Sequence, residues 1–428
     1  MHRAKRAGVG PTFVPHDMQA RQQLKTHKSP RLHVISDSRM TSLWRWVATG
    51  AILAFLIVTM SGVPSDGHKR TWTQYTPTQN LQEHEIVTIA HDDDFGEWPG
   101  NGSAENPYLI ENLTISGDDH CISIEETSAH FVIRDCLFNA SNFGVRLTRV
   151  NNGTIERCRF IGGNTGISVD NSSLCRFENN EISGASIGVL LTYVNNITAT
   201  ANSIHHCTWG IILDGVASSF SGNDVFANLE EGLTVIDSSA NNTFLTNAVG
   251  WNGRSLGHQY DAIDNGLQNR WDNGTHGNYW TDAVPGTPRA IPGLANSVDS
   301  VPALLTDSTA PNIAEAPEDV AVEEDEELHL VWYVSERFPD MCDIYVDSYL
   351  HEEFNWWGRG LALTREFSVG AHNVTVVFRD CSGNRALDTV VVQVIWGFFG
   401  GIGTEIVFAS SILSVVGVLL AVAIVKRR

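Results

Sequence analysis

Five glycines recur at a fixed 22-residue interval: Gly144, Gly166, Gly188, Gly210 and Gly232. An aliphatic residue follows each, at Val145, Ile167, Val189, Ile211 and Leu233, and a second lies two positions on, at Leu147, Val169, Leu191, Leu213 and Val235. Another apolar ladder runs six residues ahead of the glycines, through Phe138, Phe160, Ile182, Ile204 and Phe226, with Cys136, Cys158, Asn180, Asn202 and Asn223 close by. Apolar residues at i and i+2 have strand periodicity. Each strand is too short to stand alone, so the units must stack, each short strand pairing in parallel with its copy one turn away. This predicts a parallel β-helix of about six turns, roughly 30 Å long at the usual strand spacing. The repeated glycines mark crowded corners and the asparagines mark corners of left-handed backbone. No proline occurs between Pro107 and Pro285, as expected where every backbone N–H serves a ladder. A leucine-rich repeat has a similar period, but its Leu-x-x-Leu-x-Leu signature is missing.

The chain has 428 residues, with 28 Lys/Arg against 49 Asp/Glu. Nine of the basic residues lie in the first 45, and Lys426, Arg427 and Arg428 end the chain. The long middle is therefore strongly acidic and offers no field for nucleic acid. After Lys69 the next lysine is Lys426, which excludes amine nucleophiles and lysine bases from that middle.

Ile406 to Val425 is an unbroken run of twenty apolar or small residues, long enough to cross the roughly 30 Å hydrocarbon core. The basic stop at 426–428 places the C-terminus in the cytoplasm and the preceding chain outside. Trp46 to Met60 has the length of a signal-peptide core. It is expected to be either an uncleaved signal anchor behind a disordered basic arm, or an ordinary leader with translation starting at Met40. The expected organisation is a basic arm (1–42), a signal peptide or anchor (43–63), a linker (64–87) and the β-helix with its C-terminal cap (88–306). A β-sandwich (307–396), a linker (397–405) and the transmembrane helix (406–425) complete it. Nine Asn-x-Ser/Thr sequons, at Asn101, Asn112, Asn139, Asn152, Asn171, Asn196, Asn241, Asn273 and Asn373, suit an exported, glycosylated surface.

The sandwich is read from alternating residues such as Leu330, Trp332, Val334 and Val374, Val376, Phe378, separated by turn signals at Gly370 and Ser382-Gly383-Asn384. Cys342 and Cys381 are a disulfide candidate within it, worth roughly 3–4 kcal/mol by chain entropy. Cys136 and Cys158 stand one turn apart in equal phase and are expected as stacked buried thiols, with a bridge as the alternative.

The opening FGEWPGNGSAENPYLIENLTIS (Phe95 to Ser116), the IxxNxI and GIxL turns, and the closing WDNGTHGNYWTD (Trp271 to Asp282) followed by Ile291-Pro292-Gly293 resemble NosD-type surface proteins of the pectate-lyase-like superfamily. The resemblance covers about residues 88–306 and implies a right-handed coil. NosD assists copper-site maturation, while other relatives bind or cleave carbohydrate. The segment after it, notably PEDVAVEEDEE and VVFRDCSGN, is similar to immunoglobulin-like modules of archaeal and bacterial surface proteins, which act as spacers or adhesive units. The resulting fold class is all-β: a single-stranded right-handed parallel β-helix, an immunoglobulin-like sandwich and a C-terminal membrane helix.

Several groups are candidates for chemistry. Gly117-Asp118-Asp119-His120 resembles the paired acids of polygalacturonase-like enzymes, where two carboxylates act as general acid and base. That family's Asn-Thr-Asp, Gly-His-Gly and Arg-Ile-Lys stretches are missing, so a plain turn is the preferred reading of Asp118 and Asp119. Asp92 and Asp94 offer hard oxygen ligands for calcium, against a capped turn. His206, beside His205 and Cys207, offers soft ligands for copper, with His120 and His130 elsewhere. Adjacent residues of a strand face opposite ways, which argues against His205 and His206 sharing one ion. Trp356, Trp357 and Phe354 form either a sugar platform or sandwich core. The expected function is a membrane-anchored extracellular protein that binds or adheres, to glycans or surface-layer proteins, without catalysis or a resident cofactor. A polysaccharide lyase or hydrolase is the alternative, and a NosD-like copper-binding maturation protein the second alternative.

Overall fold

The computed structural model describes residues 71–75, 81–254, 260–324 and 326–396. The expected arm, leader and membrane helix lie outside these residues. Among the described residues no helix is long and apolar enough to cross a membrane.

Three parallel sheets wind around one core. A ten-stranded sheet runs from Gln82–His84 to Ala303–Leu304, an eight-stranded sheet from Val87–Ile89 to Ala262–Asp264, and a seven-stranded sheet from Tyr108–Glu111 to Thr243–Leu245. This is a coil of about nine turns, longer than the glycine phase alone marks, because the outer turns at both ends lack the glycine. Val169, Leu191 and Leu213 are successive partners, as are Phe160, Ile182 and Ile204. All of them are buried in one continuous cluster. The recurring glycine is explained by close approach: a Cβ on Gly166 would sit 2.8 Å from the carbonyl oxygen of Gly188 and 2.6 Å from Ile182 Cγ2.

The period shortens at one turn and lengthens toward both ends, where Thr114 pairs with Leu137 and Ser219 with Thr243. Leu191 pairs with Leu213, 22 residues on, but a bulge follows and Val194 pairs with Gly215, 21 residues on. Ile204 consequently pairs with Val225, and Phe226 pairs with His205. Phe226, expected on the inward ladder, therefore turns away from it and packs with Leu305 and Phe338.

Asparagine side chains run along the interior corners. Asn180 donates its backbone N–H and its Nδ2 to Asn202 Oδ1 at 3.0 and 2.9 Å, and its Nδ2 also reaches the Ile155 carbonyl at 2.9 Å. Asn202, Asn223, Asn247 and Asn278 repeat the pattern turn by turn. Shorter ladders run through Asn228 and Asn252 and through Asn242 and Asn269. At the start of the longest ladder stand Cys136 and Cys158, as free buried thiols. Cys158 donates its N–H to Asn180 Oδ1 at 3.0 Å. At the far end each ladder meets an aspartate: Asn278 N–H reaches Asp299 at 2.7 Å, Asn252 N–H reaches Asp261 at 3.1 Å, and Asn269 Nδ2 reaches Asp264 at 2.9 Å. Trp271 and Trp280, in the cap read from the sequence, donate their indole N–H groups to Asp264 and Asp299 at 2.8 and 2.9 Å.

The C-terminal module packs a four-stranded sheet against a five-stranded one around Trp332, Leu361, Ile344 and Val376. Its edge strand is Thr71–Tyr75, antiparallel to Gly360–Arg365. The segment expected as a linker thus supplies a strand to the module, and the β-helix is inserted between that strand and the rest. Cys342 and Cys381 are not bridged. Cys342 is fully buried between the sheets, whereas the Cys381 thiol faces the Pro339 carbonyl and Arg254 of the β-helix.

Two outcomes follow from these contacts. Leu213→Ala should cost about 2–5 kcal/mol in urea unfolding, since a fully enclosed rung residue leaves a cavity. Burial raises the Asp261 pKa from 3.8 to about 6, against the opposing bonds from Asn252. Its contribution to stability is therefore complete below about pH 4 and is lost as pH rises through about 6, by on the order of 2–3 kcal/mol. Asp261→Asn, compared with the parent across that window, should flatten this fall; an unchanged slope would contradict it.

Candidate ligand-binding site

The C-terminal module rests on the outer face of the ten-stranded sheet. Phe338 meets Phe226 edge-on at 5.2 Å between ring centres and lies 5.1 Å from Trp251. Arg337 forks onto Asp224 at 2.8 and 2.9 Å. Arg359 Nε reaches Glu181 at 2.9 Å, and Arg254 Nη1 reaches Asp340 at 2.5 Å. Between these contacts is a cleft of about 640 Å³. Asn179, Glu181, Ser203 and Asp224 form its β-helix wall, and Tyr333, Arg337, Trp357 and Arg359 its opposite wall. Trp357 packs closely on Gly184, at φ +70°, where an added Cβ would come within 2.9 Å of Trp357 Cζ2. The bond to Asp224 raises the Arg337 pKa further, and the acids of the β-helix wall thus face the arginines of the opposite wall beside two aromatic rings. Such a surface suits a polar ligand with ring faces better than a purely apolar or strongly charged one.

The tryptophan pair divides between the two roles anticipated for it. Trp356 is fully buried, 4.9 Å from the Phe378 ring, while Trp357 lines the cleft. The arginines and acids of the cleft carried no sequence signal, because each pair joins segments more than a hundred residues apart.

The other candidates lie elsewhere. Asp118 and Asp119 are exposed in the turn before strand His120–Glu125. Asp119 accepts from Asn142 Nδ2 at 2.9 Å and faces His120 Nδ1 at 3.2 Å. These bonds lower its pKa, the reverse of what a general acid requires. Asp94 accepts the N–H groups of Ala90 and His91 at 2.9 and 3.0 Å, closing the short turn Asp92–Glu97, and Asp92 accepts the Thr127 hydroxyl, which ties that turn to the coil. Of the sequon asparagines, Asn112, Asn152, Asn171, Asn196 and Asn241 occupy left-handed corners, where asparagine is favoured for backbone reasons alone. Asn101, Asn139, Asn273 and Asn373 are exposed.

His205 and His206 do come together. His205 ends a strand and His206 takes φ +52°, so the chain bends between them and their Nδ1 atoms lie 2.9 Å apart. The strand-based expectation of opposite faces fails at this bend. His206 Nε2 is 3.9 Å from Asp340 Oδ1, beyond hydrogen-bond reach. Burial, then the neighbouring His206, pushes the His205 pKa well down, so its imidazole stays neutral and has a lone pair to offer. A separate group, Asp307, Glu336 and Asp380, brings three carboxylate oxygens within 4.8 Å of one another near the joint. These are oxygen donors of the kind hard cations take.

The family profile described as "Periplasmic copper-binding protein (NosD)" matches residues 97–284. No curated protein matches the chain. Among solved structures, a periplasmic alginate epimerase AlgG T265N mutant is 15% identical, over 46% of this chain and 53% of the epimerase, with a TM-score of 0.30. ORF18 of Geobacillus virus E2 is 10% identical over 70% of this chain and 72% of its own, with a TM-score of 0.32. A chimeric titin Z1Z2 is 17% identical over 20% of this chain and 96% of its own, with a TM-score of 0.18. The family profile falls on the coil whose stacked parallel turns are described above, and residues 97–284 are a NosD-type β-helix.

Proposed function

We propose that this is a cell-envelope protein that binds glycan through the cleft between the β-helix and an immunoglobulin-like C-terminal module, without cleaving it. Ile406–Val425 tethers it to the membrane. The periplasmic description of the NosD family supports an envelope location, and the twenty-residue apolar run before a basic stop supports the tether. The carrying observation is the cleft itself, which pairs Tyr333 and Trp357 with the ion-paired Arg337 and Arg359. Aromatic faces take the C–H faces of sugar rings, and the arginine and carboxylate edges take their hydroxyls. A glycan array on the full-length protein in detergent, with a reducing-end assay alongside, tests this. Binding without new chain ends is expected, and Trp357→Ala should weaken it about tenfold or more. Release of new reducing ends would instead favour the lyase or hydrolase reading.

One observation favours a second reading. Two buried imidazoles with facing Nδ1 atoms, beside the Asp340 carboxylate, form a donor set that suits copper, and the family description names copper. On this reading the full-length protein takes up one copper ion per chain, measured by metal analysis after dialysis, and His206→Ala abolishes the uptake. Equal uptake by the variant would remove His206 from consideration.

A further inference from the structure

Three acids meet where the β-helix joins the C-terminal module. Asp307 lies on the connector just after the last rung of the coil, Ala303–Leu304. Glu336 sits between strands Leu328–Ser335 and Pro339–Val346 of the module, and Asp380 ends strand Gly370–Asp380. These positions are distant in sequence, yet one oxygen from each lies within 4.8 Å of the others. Each acid is pinned through one oxygen. Asp307 Oδ1 accepts the Thr309 N–H and hydroxyl at 3.0 and 2.7 Å. Glu336 Oε1 accepts the N–H groups of Arg337 and Phe338 at 2.6 and 3.1 Å. Asp380 Oδ1 accepts those of Ser382 and Asn384, both at 2.9 Å. Asn384 Nδ2 closes the group by donating to Asp380 Oδ2 and to the carbonyls of Asp307 and Thr309.

Acidic clusters are ordinary on a chain this acidic, but this one holds an oxygen that pairs with nothing. Asp307 Oδ2 is fully enclosed and accepts no hydrogen bond, a state that protein interiors rarely carry because a buried charge needs a partner. Asp380 beside it is 1% exposed. Burial, with Asp307 and Asp380 as neighbours, raises the Glu336 pKa against the bonds from Phe338 and Arg337. The adjacent cation, Arg337, forks away onto Asp224. Such a group is balanced by a cation that takes several oxygens at once. All three side-chain donors are hard oxygens, which favours calcium or magnesium over copper. Opposite ligands of a calcium ion stand about 4.8 Å apart, so three oxygens this close fit on one coordination sphere. Magnesium holds on to several waters, for which the enclosed side of Asp307 offers no room.

We infer that Asp307, Glu336 and Asp380 bind one calcium ion, which locks the C-terminal module onto the end of the β-helix. The ion joins the connector to two loops of the module. Glu336 also lines the cleft, so the same ion steadies that wall. The site stands independently of the glycan and copper readings.

The test uses full-length protein in detergent, stripped with a chelator, and follows added calcium by calorimetry and thermal midpoint. One calcium per chain is expected, with a midpoint that rises as the ion is added. Asp307→Asn should weaken calcium binding about tenfold or more. Glu336→Gln, at a partly buried loop position, should do the same and carries the comparison if Asp307→Asn does not fold. Without calcium the order of stability reverses: both variants should melt above the parent, because each removes one of three repelling charges. A purely structural role for these acids predicts lower midpoints with and without calcium, and that result overturns the site. A parent that binds no calcium, binding unchanged in both variants, or magnesium bound as tightly would overturn it too. Loss of calcium uptake in Asp94→Asn alone moves the ion to the turn Asp92–Glu97 and equally sinks the inference.

Discussion

A β-helix turns a corner several times per coil, and at each corner amide groups face the interior without a sheet to pair them. An unmet buried amide costs about 1–3 kcal/mol, a cost repeated at every turn. The stacked asparagines meet this constraint. Each side chain accepts from the turn before it through Oδ1 and donates through Nδ2 to a carbonyl of an earlier turn, as Asn202 does toward Phe177 at 2.8 Å. The ladder therefore has a direction. Its first turn needs a small group that demands little, supplied by Cys136, Cys158 and Cys207, whose thiols donate only to nearby carbonyls. Its last turn needs an acceptor that brings no further donors. An aspartate, accepting through its carboxylate oxygens, is such a group, and all three ladders end on one. Burial of these carboxylates is the cost of closing the coil, seen most directly in the raised pKa of Asp261.

The aliphatic rungs and the glycine phase were legible because they depend on local alternation, repeated until chance is excluded. The roles of Asp261, Asp264 and Asp299 were not, because each is defined by being last in a stack, and no local pattern marks the last turn. The cap motif did contain their partners Trp271 and Trp280, so part of that closure was visible as composition. Phe226 was misplaced because one residue fewer in a single turn, after the bulge at Tyr193, shifts every later residue of that turn to the other face. A strand through both would separate His205 from His206, whereas His206 is the bend. Strand Thr71–Tyr75 meets a partner almost three hundred residues away, and contacts at that range have no signature in the local sequence. Its pairing makes the C-terminal module depend on chain from both sides of the β-helix.

The joint between the two bodies combines contacts of unequal weight. Arg337 is 64% exposed at its side chain and Arg359 43%, so their ion pairs are screened by salt and contribute little net stability. They fix orientation. The enclosed contact of Phe338 with Phe226 excludes water and supplies most of the favourable free energy. Phe226 is available for that contact only because the turn holding it is one residue short. A regular 22-residue turn would have put this ring inside the coil and left a strand face with nothing to receive the module. Regular turns make a rod with identical faces, on which no position differs from its neighbours. The turn that is one residue short makes one stretch of the rod unlike its neighbours, and the module and the cleft gather there.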